Sequence, residues 1–346
     1  MDFTLHTTFP ESIAPEWNVL LEHTATHVPF LRHEYLHYWW STRGGGEWPE
    51  AELAVVTARQ EGHLVGVAPL FFTANYRSDA PHPQNPELLL LGSVEISDYL
   101  DLLVRPQELP AFLDGLLPFL AGCAGSQLPA WQALDFYNIL DSSPTLPALE
   151  EAARRMGWRY VHEKDYHAPY IPLPGDWETY LAGIDKKQRH EIRRKMRRIE
   201  NSGLPVRWYL VTDGSTLDSE VDAFLGLMEQ DAEKANFLTP PMREHMHLTA
   251  RLAFDNGYLF LAFLEIAGVK AAAYLCFDYL NRIWVYNSGF TPSMLDFSPG
   301  WVLLGNLLRW SNEQQREAFD FMRGDEEYKY RFGGIDRFVL RAVVER

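Results

Sequence analysis

The chain has 346 residues, 47% of them hydrophobic and 23% charged, the composition of an ordinary globular protein long enough for two domains. Its two cysteines, Cys123 and Cys276, are too few for a disulfide framework or a zinc site, and no apolar run approaches the ~18 residues of a membrane span. The net charge of −16 argues against DNA binding, and a start with no basic segment followed by an apolar one reads as a cytoplasmic protein.

In chain order, Pro10 to Glu22 and Leu31 to Ser41 read as helices, followed by strands over Glu52–Ala58 and His63–Phe72 joined at Glu61-Gly62. The prolines between Arg77 and Glu87 mark a loop. Strands over Leu88–Leu91 and Tyr99–Val104, a helix over Pro106–Ala121, a strand over Trp131–Phe136 and a helix over Leu146–Met156 come next. Strands over Trp158–Val161 and Pro169–Leu173 close this half, and Pro172-Leu173-Pro174-Gly175-Asp176 reads as a linker. The expected division is 1–174 and 175–346.

The second half repeats the order. A basic helix over Ile184–Asn201 leads to a strand over Val206–Val211, then helices over Asp218–Lys234 and Pro241–Phe254. A meander follows over Tyr258–Ile266, Val269–Asp278 and Arg282–Gly289, with its first turn at Ala267-Gly268. A helix over Trp301–Gln315, a strand over Ala318–Met322, a short helix near Glu326–Phe332 and a strand over Arg337–Val344 complete the chain. Helices, an antiparallel meander and further strands make an α+β pattern.

Charge is concentrated in the basic helix. Between Lys186 and Arg198 eight basic residues face one acid, Glu191, for a local charge of +7 that leaves −23 on the remainder. Lys186, Arg189, Arg193 and Arg197 fall on one stripe, and Ile192, Met196 and Ile199 on an apolar one. One reading is a solvated helix docked by its apolar side; the other is a local anion site, with Arg189 and Arg193 at the substrate.

Two further stretches carry chemistry. Ser298-Pro299-Gly300 opens an apolar helix, where unpaired N–H groups and the positive dipole end favour an anion. The bland alternative is a plain Ser N-cap. The preceding strand ends at Asn287-Ser288-Gly289 and would present polar groups beside that helix start. After the strand Phe319-Asp320-Phe321-Met322 comes Arg323-Gly324-Asp325-Glu326-Glu327-Tyr328-Lys329. Acyl transfer to an amine needs a base for the ammonium proton and an acid for the departing group. Glu326 or Asp325 would supply the base and Tyr328 the acid; the alternative is an acidic first turn that stabilises its own helix. Asp320 needs a partner if buried, with Arg323 or Lys329 as candidates. No metal-ligand spacing, serine-hydrolase elbow, Walker loop or Gly-x-Gly-x-x-Gly pattern occurs.

Asp185-Lys186-Lys187-Gln188-Arg189-His190-Glu191-Ile192-Arg193-Arg194-Lys195, Tyr286-Asn287-Ser288-Gly289-Phe290, Ser298-Pro299-Gly300 and Gly324-Asp325-Glu326-Glu327-Tyr328-Lys329 occur in that order. Over 185–333 the chain resembles GNAT-superfamily acyltransferases of the CelD-like group, related to Fem-type aminoacyltransferases. The resemblance implies two tandem GNAT-like domains, each a mixed, mostly antiparallel sheet flanked by helices, the first of them degenerate. It implies an acyl-CoA donor (acetyl-CoA foremost), no metal, and an amine acceptor on a small molecule or saccharide. Asn287, Ser288, Ser298, Gly300 and Lys329 would hold the donor; Arg189, Arg193 and Asp320 would meet the acceptor. The familiar pyrophosphate loop is absent, and Ser298-Pro299-Gly300 stands in its place. The alternatives are transfer from aminoacyl-tRNA, against which the acidic body argues, and a non-catalytic module for anionic saccharides.

Overall fold

The computed structural model describes residues 1–74 and 86–346, so the loop expected over 77–87 lies outside the described residues except for Pro86 and Glu87. The chain divides into two compact units, one of Met1–Tyr166 with Phe338–Arg346, the other of His167–Arg337. This differs from the expected division at both ends of the second unit. Tyr170–Pro172 pairs antiparallel with Ala318–Asp320 inside the second unit, whereas Phe338–Glu345 pairs antiparallel with Ala133–Leu140 in the first. Pairing partners set domain membership here, and a chain-order reading gives each strand to its nearest neighbour instead.

The first unit holds a four-stranded and a six-stranded sheet. Asp2–His6, Val55–Gln60, His63–Ala68 and Leu103–Val104 form the smaller one in that order. The larger runs Glu52–Leu53, Leu70–Thr73, Glu87–Leu90, Ala133–Leu140, Phe338–Glu345, Arg159–His167. Of the strand expected over Tyr99–Val104 only Leu103–Val104 forms, because Tyr99 is turned to a positive φ of 58°.

In the second unit one six-stranded sheet runs Tyr170–Pro172, Ala318–Asp320, Arg282–Phe290, Val269–Tyr279, Leu259–Ile266, Val206–Leu210. Every pairing is antiparallel except that between Arg282–Phe290 and Ala318–Asp320. The expected α+β class, with mixed and mostly antiparallel sheets flanked by helices, is therefore the observed one.

The basic helix runs Lys186–Glu200, started by the Asp185 carboxylate, which accepts from the N–H groups of Lys187 (2.9 Å) and Gln188 (3.2 Å). Its Ile192, Met196 and Ile199 enter the core against Val302, Leu303, Leu307 and the sheet residues Phe260 and Leu264. Each such side chain contributes roughly 1.5–3 kcal/mol by leaving water. The helix expected over Asp218–Lys234 is two, Leu217–Met228 and Ala232–Phe237; Asp231 caps the second by accepting from the N–H groups of Glu233 and Lys234. That break matters below, because it brings Lys234 to the end of the Arg282–Phe290 strand.

Candidate active site in the second unit

The parallel pairing of Arg282–Phe290 with Ala318–Asp320 lasts for only three residue pairs, Arg282↔Ala318 to Trp284↔Asp320. A bulge follows: Leu275 pairs with Asn287 and Cys276 with Val285, so Tyr286 is the extra residue. Beyond it lies a cavity of about 180 Å³ lined by Tyr274, Ser288, Gly289, Phe290, Gly300, Trp301, Leu304, Tyr328 and Phe332.

Two glycines line this cavity for different reasons. At Gly289 a Cβ would sit 2.6 Å from the backbone of Leu227 and Met228, so the neighbouring helix end requires glycine there. At Gly300 a Cβ would meet only Phe290, at an ordinary 3.6 Å, so the protein's own packing does not require glycine. Gly300 sits in the first turn of the helix Pro299–Glu313, whose N-cap Ser298 is left-handed (φ 50°, ψ 56°) and makes no side-chain cap hydrogen bond. A plain serine cap is thereby ruled out. Trp301 beside it carries a buried indole N–H with no hydrogen-bond partner among the described residues. Open N–H groups, the helix dipole and an unspent indole donor make this wall suited to an anion or a polar carbonyl.

The opposite wall carries hydroxyls. Tyr274 and Ser288 are direct cross-strand partners, and both line the cavity with Tyr328. Burial, reinforced by Tyr274 and Glu326, holds the Tyr328 phenol well above the ordinary tyrosine range. It is therefore a neutral hydroxyl able to donate a proton at physiological pH.

The loop that presents Glu326 is built around a buried lysine. Lys329 is 2% exposed, and its ammonium donates to the carbonyls of Arg323 (2.6 Å) and Gly324 (3.1 Å) and pairs with Glu326 Oε2 at 2.8 Å. Gly324, at φ 109°, is where a Cβ would collide with the Glu326 carboxylate. Glu326 thus stands at the short helix Glu327–Arg331 with its side chain 56% exposed, reachable by a ligand yet tethered. Asp325 is exposed in the same turn, and the exposed Glu327 pairs with Arg331.

The sequence-predicted residues separate into two groups. Ser288, Gly300 and Tyr328 line the cavity, Ser298 holds the N-cap position of its helix, Asn287 and Glu326 stand close by, and Asp325 precedes Glu326 in the same turn. The other four have engagements elsewhere. Lys329 is spent on the Glu326 loop, and Arg189 donates to the carbonyls of Leu181 and Ala182, both at 3.3 Å. Arg193 pairs with Glu178. Asp320 is fully buried and accepts from Arg337 and from the Met322 N–H (2.9 Å), so Arg337 is an ion partner that the sequence did not point to, while Lys329 is committed to the Glu326 loop.

Three residues absent from the sequence reading stand at this site. Tyr274 gives no sequence signal beyond an apolar strand. Lys195 extends from the basic helix to lie 4.0 Å from the Trp301 ring centroid. Lys234 donates to the Asn287 side-chain oxygen at 3.0 Å and to the Ser288 carbonyl, and burial lowers its pKa despite nearby Asp231 and Glu326. The break after Met228, which a helix-wide reading runs through, was the missing clue to Lys234.

A larger recess of about 610 Å³ lies on the six-stranded sheet of the first unit, beside Glu87 and Arg341. Arg341 is forked onto the buried Asp135 (2.8 and 2.5 Å), and burial next to Asp135 pushes Glu87 up to about 7. Among the described residues its lining holds no serine, threonine or tyrosine.

Residues 186–330 match the family described as "Acetyltransferase (GNAT) domain". No curated protein matches the chain. Among solved structures, FemX is similar at 12% identity and a TM-score of 0.65, over 99% of this chain and 97% of that one. L-PGS from Bacillus licheniformis is similar at 13% identity and a TM-score of 0.54, over 97% and 91% of the two chains. A tandem GNAT protein from the clavulanic acid biosynthesis pathway is similar at 11% identity and a TM-score of 0.50, over 99% and 97%. At these identities the likeness is one of fold. Within the second unit, residues 186–330 are thus similar to a GNAT acetyltransferase domain, and the whole chain has the fold shared by FemX and the tandem GNAT protein.

Proposed function

We propose that this chain is an N-acyltransferase that moves an acyl group, acetyl foremost, from acyl-CoA to an amine on a small molecule or saccharide precursor. The observation that carries the reading is one cavity where an uncapped helix start, a strand end and a protonated tyrosine meet. The match of residues 186–330 to an acetyltransferase domain supports it.

In this reading the open N–H groups around Gly300 and Trp301 face the donor's polar groups, and the apolar walls from Phe290, Leu304 and Phe332 accept its arm and acyl group. Glu326, with Asp325 as the alternative in the same turn, takes the proton from the acceptor ammonium. The freed amine attacks the thioester carbonyl; as the C–S bond breaks, Tyr328 gives its proton to the departing thiolate, and the second proton shed by the acylated nitrogen returns through solvent to the Tyr328 phenolate. Lys329 is a positioning residue for Glu326. Arg189, Arg193 and Asp320 support the helices and strands around the site; Lys195 and Lys234 are the cations nearest the cavity. The first unit is degenerate as a donor site and shapes the chain.

A second reading, transfer of an aminoacyl group from tRNA, is favoured by the fold likeness to FemX. A thiol-release assay with acetyl-CoA and an amine panel separates the two. Acetyl transfer, lowered about 100-fold or more in the Glu326→Gln, Tyr328→Phe double variant, supports acyl-CoA chemistry. Turnover unaffected by the double variant sinks the assigned site. Transfer from aminoacyl-tRNA, with none from acyl-CoA, selects the second reading.

A further inference from the structure

The basic helix is only partly explained by the acyl-transfer site. Arg193, Arg194 and Lys195 form ion pairs with Glu178 and Glu191, while the exposed Lys186, Lys187, Arg197 and Arg198 take part in none of those pairs. Four cations without an ion partner among the described residues are conspicuous on a chain of net charge −16, because like charges on one helix repel unless something anionic answers them.

Exposed apolar side chains accompany them. The segment Pro292–Phe297 packs against the basic helix and carries Leu295, 57% exposed, with Asp296 as its one acid. Phe290 precedes that segment, is 47% exposed, and lines the cavity. Just past the C-terminal end of the helix, Leu204 and Val206 are 40% and 37% exposed. Apolar residues therefore flank the cationic helix at both of its neighbouring segments, and one of them belongs to the cavity wall.

We propose that this face docks peripherally on an anionic lipid surface, with Phe290 and Leu295 entering the headgroup boundary and Lys186, Lys187, Arg197 and Arg198 meeting acidic headgroups. Cations beside protruding Leu and Phe are the combination that holds a protein in a membrane interface without spanning it. An extended RNA would spread cations over several elements, and of the exposed apolar side chains here only Phe290 could stack on a base. The charge here is confined to one 15-residue helix, about 22 Å long. The inference goes beyond acyl transfer and does not depend on it, but it fits an acceptor presented at a bilayer.

The test is co-sedimentation of the full chain with vesicles of phosphatidylcholine alone or with one quarter phosphatidylglycerol. Binding should need the anionic lipid and weaken as salt rises. It should fall about tenfold or more in Lys187→Glu, Arg197→Glu, Arg198→Glu. Leu295→Ser should weaken binding while keeping the salt dependence, and thermal melts confirm that the variants fold. Equal binding to both vesicle types, no binding to either, or no loss on charge reversal overturns the proposal. So does charge-dependent binding that Leu295→Ser leaves intact and a homopolymeric RNA displaces. Since the readout is lipid binding, failure here leaves the acyltransferase assay untouched, and the reverse also holds.

Discussion

The two units treat the same junction, a strand followed by a helix and another strand, in opposite ways. In the second unit the strand Arg282–Phe290 parts from Ala318–Asp320 after three pairs and leaves a cavity at the helix start. In the first, the space beside Ala133–Leu140 is taken up by the chain itself. The Leu100 N–H donates to the Asn138 carbonyl at 3.0 Å, and the Asn138 side chain donates to the carbonyls of Val94 and Ser97. The fully buried Asp101 accepts from the hydroxyls of Thr26, Ser143 and Thr145 at 2.5–2.6 Å and from the Leu102 N–H. Asn138 and Asp101 are fully engaged by neighbouring side chains and backbone, whereas the Trp301 indole N–H at the second junction has no partner among the described residues.

The largest effect that sharpens the contrast is on turnover. Tyr328→Phe should lower kcat about 100-fold or more, with little change in stability, because it removes a hydroxyl and keeps the ring that packs on Phe321. A wild-type rate would remove the catalytic assignment. In the first unit the corresponding loss should be one of stability. Asp101→Ala strands three buried hydroxyls and should cost about 3 kcal/mol in denaturant unfolding, while the folded variant should keep any acyl-transfer kcat of the parent chain. Loss of kcat at full occupancy of the folded state would mean that the first unit takes part in chemistry.

A third expectation concerns pH. Burial of His245 lowers its pKa to about 4, whereas in the unfolded chain it titrates near 6.5. Between those values only the unfolded state takes up the proton, so stability falls as pH drops from 6.5 towards 4, by up to about 3 kcal/mol from this group. His245→Gln should flatten that part of the melting-temperature profile; an unchanged slope would assign the acid sensitivity to other groups. The smallest effect is at Gly300. Gly300→Ala should leave stability within about 1 kcal/mol, since a Cβ there meets only an ordinary 3.6 Å contact, yet it should raise the donor KM. A change in stability without a change in KM would reverse the assignment of that helix start.

Much of this was legible in the chain. Strong periodicity placed the basic helix within two residues at its start and one at its end (expected Ile184–Asn201, observed Lys186–Glu200), and the meander strands fell close to their expected spans. What escaped was set by long-range pairing. Nothing local tells Phe338–Glu345 to join Ala133–Leu140 rather than its sequence neighbours. Arg189 and Arg193 carry the charge of an anion site, but the helix Trp177–Gly183 beside them uses that charge for its carbonyl end and for Glu178. Lys329 shows the same limit from the other side. A lysine beside three acids reads as a surface cation, and only the folded loop makes it the buried post around which Glu326 is held.

The central claim is that the second unit's cavity is where the acyl donor binds. Isothermal titration of acetyl-CoA into the full chain and into Gly300→Trp and Leu304→Trp variants of unchanged melting temperature tests it most directly. The account predicts micromolar binding to the parent chain and at least about tenfold weaker binding to both variants. Equal affinity in all three proteins would contradict it.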